Sequence, residues 1–187
     1  MLKQAPAPMH MMFATPQAKS LLVIAMMLGL AVPRLVAAPS SPGLAGTYQL
    51  DRQASDDIDQ AIEKAIAKSN FIVRTIARGR LRETNPRVQH LIIGFPGARV
   101  SVANDGHPAM VVPLGGTSVK WTRDDGETFD VRATLQNGIL TTSYVADDGT
   151  RTNTYTPTED GKGMIMHVTV FSSHLSQPLQ YRLAFVR

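Results

Sequence analysis

The 187-residue sequence contains no cysteine, and this absence excludes several kinds of chemistry. The chain has no disulfide bond, no thiolate metal ligand, no cysteine nucleophile and no cysteine that could carry a lipid. Aromatic residues are also scarce, at 6% with a single tryptophan, and only 18% of the residues are charged. A folded domain therefore depends on an aliphatic core, and about 150 residues of chain are enough to build one.

Acidic residues are missing from the first 37 positions, where the charged residues are Lys3, Lys19 and Arg34. From Ala38 onward the chain has 16 Lys and Arg against 15 Asp and Glu, so the net charge of +4 arises almost entirely at the N-terminus. A nearly neutral domain does not match the phosphate backbone of nucleic acids, and we expect no nucleic-acid partner.

The run LLVIAMMLGLAV at 21–32 is uncharged and 12 residues long. A membrane-spanning helix needs about 20 apolar residues, whereas a shorter run suits the hydrophobic region of a signal peptide. Lys19 precedes the run and small residues follow it, so we predict a signal peptide over 1–37, cleaved after Ala37, and a linker over 38–43. The alternatives are an uncleaved N-terminal anchor and a buried core helix. The expected localisation is the periplasm or the cell exterior.

One helix is predicted over 56–78, capped by Ser55 or Asp56, whose side-chain oxygens can accept from free N–H groups of the first turn. Its apolar residues recur every three or four positions and form one stripe, made of Ile58, Ile62, Ala65, Ile66, Ile72, Val73 and Ile76. This stripe is too apolar to face water, so the helix is expected to pack against the domain. Residues 69–70 are the point at which it could divide in two, and Gly79 could end it.

Short alternating segments follow the helix, and glycine-containing turns separate them. The predicted strands are 44–51, 88–94, 98–103, 109–112, 117–123, 128–135, 139–146, 150–156, 164–172 and 178–186. Tight turns such as Asn137-Gly138 and Asp148-Gly149 favour an antiparallel meander, because parallel strands need long crossovers. A sheet of this length usually curls into a barrel or splits into a sandwich. Strand 164–172 is apolar on both faces, which predicts cover on both.

Motifs of enzymes and metal sites are absent from the sequence. No GxSxG elbow is present, and no histidine pair has a metal-binding spacing. His90 and His167 could meet in a metal site only if their strands paired. The acidic pairs precede glycine, and turn chemistry explains them. We therefore predict no catalytic residue, no metal and no cofactor.

Five arginines crowd the end of the predicted helix, namely Arg74, Arg78, Arg80, Arg82 and Arg87. They could bind an anionic surface such as lipid headgroups or an acidic polysaccharide. The alternative, which we favour, is that cations near a helix C-terminus complement the helix dipole on a solvated face.

The order of these features resembles a known group of proteins. The strand GTYQLD, the helix SDDIDQAIEKAI, the repeated hairpins from Trp121 and the ending PLQYRLAFVR are similar to small secreted bacterial proteins with a lipocalin-like β-barrel, a group without a characterised activity. The resemblance implies an all-β, antiparallel lipocalin-like (calycin-type) barrel over 44–187 with one N-terminal helix. It matches Gly46 and Tyr48 to the opening motif, and either Arg182 or Arg187 to an arginine that stacks over that aromatic ring.

These observations favour an exported, non-enzymatic binding module that holds a small apolar ligand inside the barrel, since eight-stranded barrels can enclose one. The candidate binding residues are Tyr48, Trp121, Tyr144, Tyr155, His167 and Arg182. The alternative is an envelope interaction or inhibitor protein. Such a protein would use a surface edge or the basic end of the helix to bind an envelope protein or an anionic surface.

Overall fold

The computed structural model describes residues 43–105 and 107–187. They form ten strands and two helices. In chain order the elements are β1 Gly46–Asp51, α1 Ile58–Ile66, α2 Phe71–Thr84, β2 His90–Gly94, β3 Arg99–Asn104, β4 Met110–Pro113, β5 Val119–Thr122, β6 Thr128–Gln136, β7 Ile139–Ala146, β8 Gly149–Pro157, β9 Gly163–Ser172 and β10 Leu179–Val186. The predicted signal peptide, and all of the predicted linker except Gly43, lie outside the described residues and stay predictions.

All ten strands form one antiparallel sheet in the order β4-β3-β2-β1-β10-β9-β8-β7-β6-β5. The first and last strands pair, with Leu50 opposite Phe185, as a barrel built from a meander requires. The two edges of the sheet are β4 and β5, and they approach where Leu114 forms a parallel bridge to Ala133 of β6. The sheet is therefore a nearly closed barrel whose seam lies between β4 and β5. The predicted antiparallel barrel is confirmed.

In two of the predicted turns, the glycine is needed for different physical reasons. Asn137 and Gly138 both have positive φ, at 52° and 78°, which suits the tight two-residue turn between β6 and β7. Gly149, in contrast, is the first residue of β8 and is required by close packing. A Cβ atom there would lie 2.5 Å from the carbonyl oxygen of Phe171 on β9. Gly149 does not have positive φ, so it is needed for strand pairing and not for the turn conformation.

Two shorter helices occupy the part of the chain predicted as a helix over 56–78, so the alternative that it divides at 69–70 is confirmed and the single helix is wrong. The side chain of Asp57 caps α1 by accepting from the N–H of Gln60 at 3.2 Å. The side chain of Asn70 then caps α2 by accepting from the N–H of Val73 at 2.9 Å. A new cap starts a new helix, so the chain divides at 69–70. Gly79 does not end α2, which continues to Thr84.

Both helices lie at one end of the barrel, beside the turns that follow β7 and β9. The hydroxyl of Ser176, in the β9–β10 turn, donates to the carbonyl of Ala65 in α1 at 3.0 Å. Arg80 of α2 forms an ion pair with Asp148 of the β7–β8 turn at 3.6 Å. No helix within the described residues is long and apolar enough to cross a membrane.

The core is the inner surface of the barrel together with α1. On β9 the inward side chains Met164, Met166 and Val168 are buried, but His167 and Phe171 on the outer face are exposed. The prediction that this strand is covered on both faces is therefore wrong. Its outer apolar residues face solvent because α1 and α2 lie at the end of the barrel and not against this face.

Candidate functional site

A cavity of about 330 Å³ lies inside the barrel at the end where the helices are. Ala77 and Leu81 of α2 line it on one side, and inward side chains of the strands together with loop residues such as Asp124 and Asp148 line the rest. This volume is at the lower end of the range for small-molecule sites, which is about 300–1,000 Å³. The cavity is therefore the candidate functional site, and α2 forms part of its wall.

Three aromatic rings from adjacent strands form one side of the cavity. Trp121 of β5 lies 6.1 Å from Phe129 of β6 and 6.1 Å from Tyr144 of β7, measured between ring centroids. Phe129 and Tyr144 meet edge to face, with centroids 6.3 Å apart. Such rings give a large apolar contact surface that loses little conformational freedom on binding. Because Trp121 is the only tryptophan of the chain, its fluorescence reports on this wall alone.

A cationic side chain, Arg151 of β8, points into the same cavity. Its Nη1 donates to Oδ1 of Asn85 at 2.9 Å, and its Nη2 donates to the hydroxyl of Tyr181 at 3.2 Å. Its Nε donates to Oδ1 of Asn153 at 3.0 Å. The Tyr181 hydroxyl in turn donates to Oδ1 of Asn85 at 3.1 Å, which holds the group in place.

Every partner of Arg151 in this group is electrically neutral. Within residues 43–105 and 107–187, no carboxylate lies within ion-pair distance of its guanidinium, which is partly buried. A partly desolvated cation without a counter-ion attracts an anion, and arginine presents donors that fit a carboxylate or phosphate. The cavity thus combines an apolar wall with an unpaired positive charge.

Two phenols of the cavity remain protonated across the physiological pH range. Burial raises the pKa of Tyr144 and, by the same cause, that of Tyr155. Both side chains lie along the cavity wall, one on β7 and the other on β8. Their hydroxyl groups are therefore available as hydrogen-bond donors to a ligand oxygen.

A hydrogen bond between two residues that line the cavity spans the seam. His107, in the β3–β4 loop, contacts the carboxylate of Asp124 in the β5–β6 turn, and both residues line the cavity. The hydrogen bond with His107 lowers the pKa of Asp124. This contact joins the two halves of the sheet at the end where strands β4 and β5 do not pair.

The structure places three of the six predicted binding residues in the cavity and three outside it. Trp121, Tyr144 and Tyr155 line the cavity. Tyr48 is buried elsewhere, where its hydroxyl donates to the carbonyl of Leu44 at 3.0 Å. His167 is exposed on the outer face of β9.

Arg182 also lies on the outer face, where its guanidinium donates to the carbonyl of Ala54 at 3.0 Å. The arginine that stacks over Tyr48 is Arg187, whose Cζ lies 5.3 Å from the ring centroid. Of the two alternatives that the resemblance implied, the structure selects Arg187. Successive side chains of β10 point to opposite faces of the sheet. Because Tyr181 and Leu183 are buried inside the barrel, Arg182 between them points outward.

Sequence reasoning missed Arg151, Asn85 and Asn153. The threonines of the segment TRTNTYT in β8 suit a solvent-facing surface. The residues between the threonines are Arg151, Asn153 and Tyr155, and strand periodicity puts all three on the opposite face. Since Tyr155 was already a predicted binding residue, the same parity would have indicated Arg151. No local signal could have found Asn85, which lies beyond the end of α2.

The described residues contain no group of three or more side chains that could hold a metal ion. His90 and His167 do not meet, because β2 pairs with β1 and β3 whereas β9 pairs with β10 and β8.

The basic cluster is largely neutralised by α1. Arg78 pairs with Glu63 and Arg82 pairs with Asp59 at 2.7 Å, while Arg87 lies 3.3 Å from Asp59. Arg74 donates to the carbonyls of Ala67 and Ser69 beyond the C-terminus of α1, at 2.8 and 3.0 Å. Most of these cations therefore hold the two helices together.

Solved structures share this arrangement of strands and helices. A fatty acid-binding protein from brain tissue of Drosophila melanogaster has a TM-score of 0.50 at 15% identity, covering 76% of this chain and 97% of that chain. The fold is a calycin barrel of the fatty-acid-binding-protein type. Lipid binding protein 8 of Caenorhabditis elegans has a TM-score of 0.52 at 13% identity, and the match covers 79% of this chain and 97% of that chain. A Schistosoma mansoni fatty acid binding protein in complex with arachidonic acid has a TM-score of 0.51 at 15% identity, and the match covers 79% of this chain and 98% of that chain. No protein-family model and no curated protein matches the sequence.

Proposed function

We propose that the protein binds a small amphipathic ligand, an acyl chain with an anionic head group, inside the barrel. The observation that carries the proposal is Arg151, a partly buried cation in a largely apolar cavity whose partners are all neutral. A carboxylate at this position would supply the missing counter-charge. The chain of the ligand would lie against Trp121, Phe129 and the aliphatic residues of the cavity. The fatty-acid-binding names of the structural neighbours support the same ligand class.

Binding is measured by titrating the protein with myristate and following the emission of Trp121. We expect saturable binding, with myristyl alcohol binding about tenfold more weakly or worse, because the alcohol cannot pair with the guanidinium. Equal affinity for the acid and the alcohol would contradict the role of Arg151.

Variants of Arg151 and of its partner Asn85, which together form the proposed anion site, test the role of the guanidinium more directly. Arg151→Met should weaken myristate binding by about tenfold or more, whereas the matched variant Arg132→Met, on the exposed outer face of β6, should leave it unchanged. Asn85→Asp places a carboxylate beside Arg151 and should compete with the ligand head group in the same way. Retention of wild-type affinity in both cavity variants would refute the anion site.

A second function has support from a different observation, the exposed apolar face of α2. Phe71, Ile72 and Ile76 are 81%, 70% and 63% exposed. The helix itself carries four arginines, Arg74, Arg78, Arg80 and Arg82, against one acidic residue, Glu83. An amphipathic helix of this composition binds at the interface of an anionic bilayer, where its apolar side chains insert and its cations contact phosphate groups. We propose that α2 docks on such a surface.

Vesicle co-sedimentation tests this docking. The protein should bind vesicles that contain anionic phosphatidylglycerol and should bind pure phosphatidylcholine vesicles weakly, since a zwitterionic surface has no net charge to attract the arginines. The triple variant Phe71→Ser, Ile72→Ser, Ile76→Ser should lose the binding. The control is Ile92→Ser, which removes an apolar residue that is 52% exposed on the outer face of β2. Undiminished binding of the triple variant would contradict the proposal.

Export is proposed from the leader pattern alone, since its residues lie outside the described part of the chain. Intact-mass analysis of the protein from its native host should give a chain that begins at or near Ala38. A chain that retains residues 1–37 would contradict cleavage.

A further inference from the structure

The cavity occupies only part of the barrel interior, the part nearest the helices. Three neighbouring strands show where it ends, because on each of them an inward residue nearer the helices lines the cavity and the next inward residue does not. These pairs are Leu91 and Ile93 on β2, Val102 and Val100 on β3, and Met110 and Val112 on β4. The cavity therefore begins beside the helices and ends part-way along the barrel.

Beyond this limit the barrel is filled by its own side chains. Val100, Val112, Leu140 and Met164 point inward there and are each 0% exposed, so other protein atoms surround them on all sides. All four belong to the apolar core of the domain. Protein interiors are packed as densely as organic crystals, so a bound chain cannot continue into this region.

Tyr155 and Met166 form the floor of the cavity. They lie opposite each other on β8 and β9, and both line the cavity while being at most 2% exposed. On each of these strands they are the lining residues furthest from the helices. The next inward residue of β9 is Met164, which already belongs to the filled region.

The polar end of the cavity is the opposite one. Exposed side chains line it there, among them Arg80 of α2 and Asp148 of the β7–β8 turn. Arg151 lies at the same end, because its Nη1 also donates to the carbonyl of Thr84, the last residue of α2, at 3.3 Å. A carboxylate held by Arg151 is thus close to the helices, and its acyl chain points toward the floor.

The distance from Arg151 to the floor limits how long that chain can be. Tyr155 lies four residues beyond Arg151 on β8, which is about 14 Å along a strand that rises about 3.4 Å per residue. An extended alkyl chain with C–C bonds of about 1.5 Å advances about 1.25 Å per carbon, so about eleven carbons span this distance. The volume leads to the same number. A methylene group takes about as much space as a water molecule, about 30 Å³, so about eleven fill the cavity of about 330 Å³.

We propose that the site selects acyl chains of about ten to twelve carbons, and that Tyr155 and Met166 set this limit from the floor. The inference rests on the proposed function, because Arg151 must hold the head group for the floor to limit the chain. The further carbons of a longer chain find no apolar surface to bury against, so they add nothing to the affinity. A ligand in the reverse orientation would meet no such limit, since its tail would leave at the exposed end.

The wild-type protein tests the inference by titration with saturated fatty acids of eight to eighteen carbons, each below its critical micelle concentration. We expect the affinity to rise about fourfold per added methylene up to about twelve carbons, the factor that corresponds to burying one CH₂ group. From there to eighteen carbons the affinity should stay level to within about twofold. An affinity that rises at the same rate up to eighteen carbons would overturn the length limit and leave the proposed function standing. Failure of all the acids to bind would overturn both.

Two variants of the same residue type then assign the limit to the floor. Met166→Ala removes three non-hydrogen atoms from the floor and should move the end of the rise to chains about two carbons longer. Met164→Ala is the matched control, because it removes the same side chain one inward step deeper on β9, where it does not line the cavity. It should leave the end of the rise where it is in the wild type. Circular dichroism verifies that both variants are folded. A rise that ends at the same length in folded Met166→Ala as in Met164→Ala would overturn the assignment to this floor.

Discussion

Both helices carry apolar residues at helical spacing, but the two helices use them in opposite ways. In α1 the residues Ile58, Ile62, Ala65 and Ile66 are all at most 5% exposed. In α2 only Leu81 is buried, and Phe71 is the most exposed large apolar residue among those described. A stripe of apolar residues at helical spacing therefore predicts that a helix is amphipathic. It does not predict whether another element of the same chain covers the stripe.

The cause lies in how each helix is attached to the barrel. The apolar face of α1 belongs to the core, and the β9–β10 turn binds its last carbonyls through Ser176 and Gln177. The attachment of α2 is at its C-terminal end, through Leu81 and Asn85. The first two turns of α2 consequently extend beyond the part of the barrel that could cover them. This difference fits a structural role for α1 and the proposed docking role for α2.

The largest expected effect comes from truncating the same residue type in the two helices. Ile62→Ala should lower the free energy of unfolding by about 2–5 kcal/mol, because Ile62 is 0% exposed and its removal leaves a cavity. Ile72→Ala, in the exposed face of α2, should change it by less than about 0.5 kcal/mol. Urea unfolding followed by circular dichroism measures both. Comparable losses in the two variants would break the distinction between the helices.

A smaller effect is expected from the polar attachment of α2. Asn85 is 4% exposed, its Nδ2 donates to the carbonyl of Leu81 at 2.9 Å, and its Oδ1 accepts from Arg151 and Tyr181. Asn85→Ala should cost about 1–3 kcal/mol, because it leaves buried donors without an acceptor.

Hydrogen exchange distinguishes this attachment from a general loss of stability. Amide protection should fall more in α2 than in α1 when Asn85 is replaced, since α1 is held by its own apolar face. Equal loss of protection in both helices would show that Asn85 supports the whole domain and not α2 in particular.

Much of the barrel could be predicted from sequence, for a physical reason. Each strand is bounded by local turn signals, and a turn such as Asn137-Gly138 fixes its own conformation through residues that tolerate positive φ. Chain order then dictates that consecutive strands pair. The pairing of β1 with β10 is what a barrel fold requires, because a barrel must join the ends of its sheet. The position of the seam did not follow, since nothing local to β4 or β5 marks them as edges.

The cavity was less predictable, because its key group joins distant parts of the chain. Arg151 of β8 contacts Asn85, at the end of α2, and Tyr181 of β10. These two partners are 66 and 30 residues away from Arg151 in the sequence. Periodicity can show which way a side chain points, as it does for Tyr155. It cannot show which other inward residues are at the same depth. The aromatic residues were found because their size made them candidates for any core.

The smallest effect concerns the ion pair that joins the two helices. Nη2 of Arg78 on α2 donates to Oε2 of Glu63 on α1 at 2.8 Å, and this hydrogen bonding lowers the pKa of Glu63 from its ordinary value of 4.5. A lowered pKa means that the pair stabilises the fold above pH 4.5 and that this contribution is lost as the pH falls through the folded-state pKa. Arg78→Gln should therefore reduce stability slightly at neutral pH, and the difference from wild type should vanish in acid. Both groups are exposed, so added salt should shrink the difference as well.

An NMR titration of the Glu63 carboxyl carbon should show its midpoint rise toward the ordinary value in Arg78→Gln. It should stay unchanged in the control Arg52→Gln, whose arginine binds the neutral side chain of Gln89. An unaltered Glu63 midpoint in Arg78→Gln would mean that the two helices are joined by their loop and caps without help from this pair.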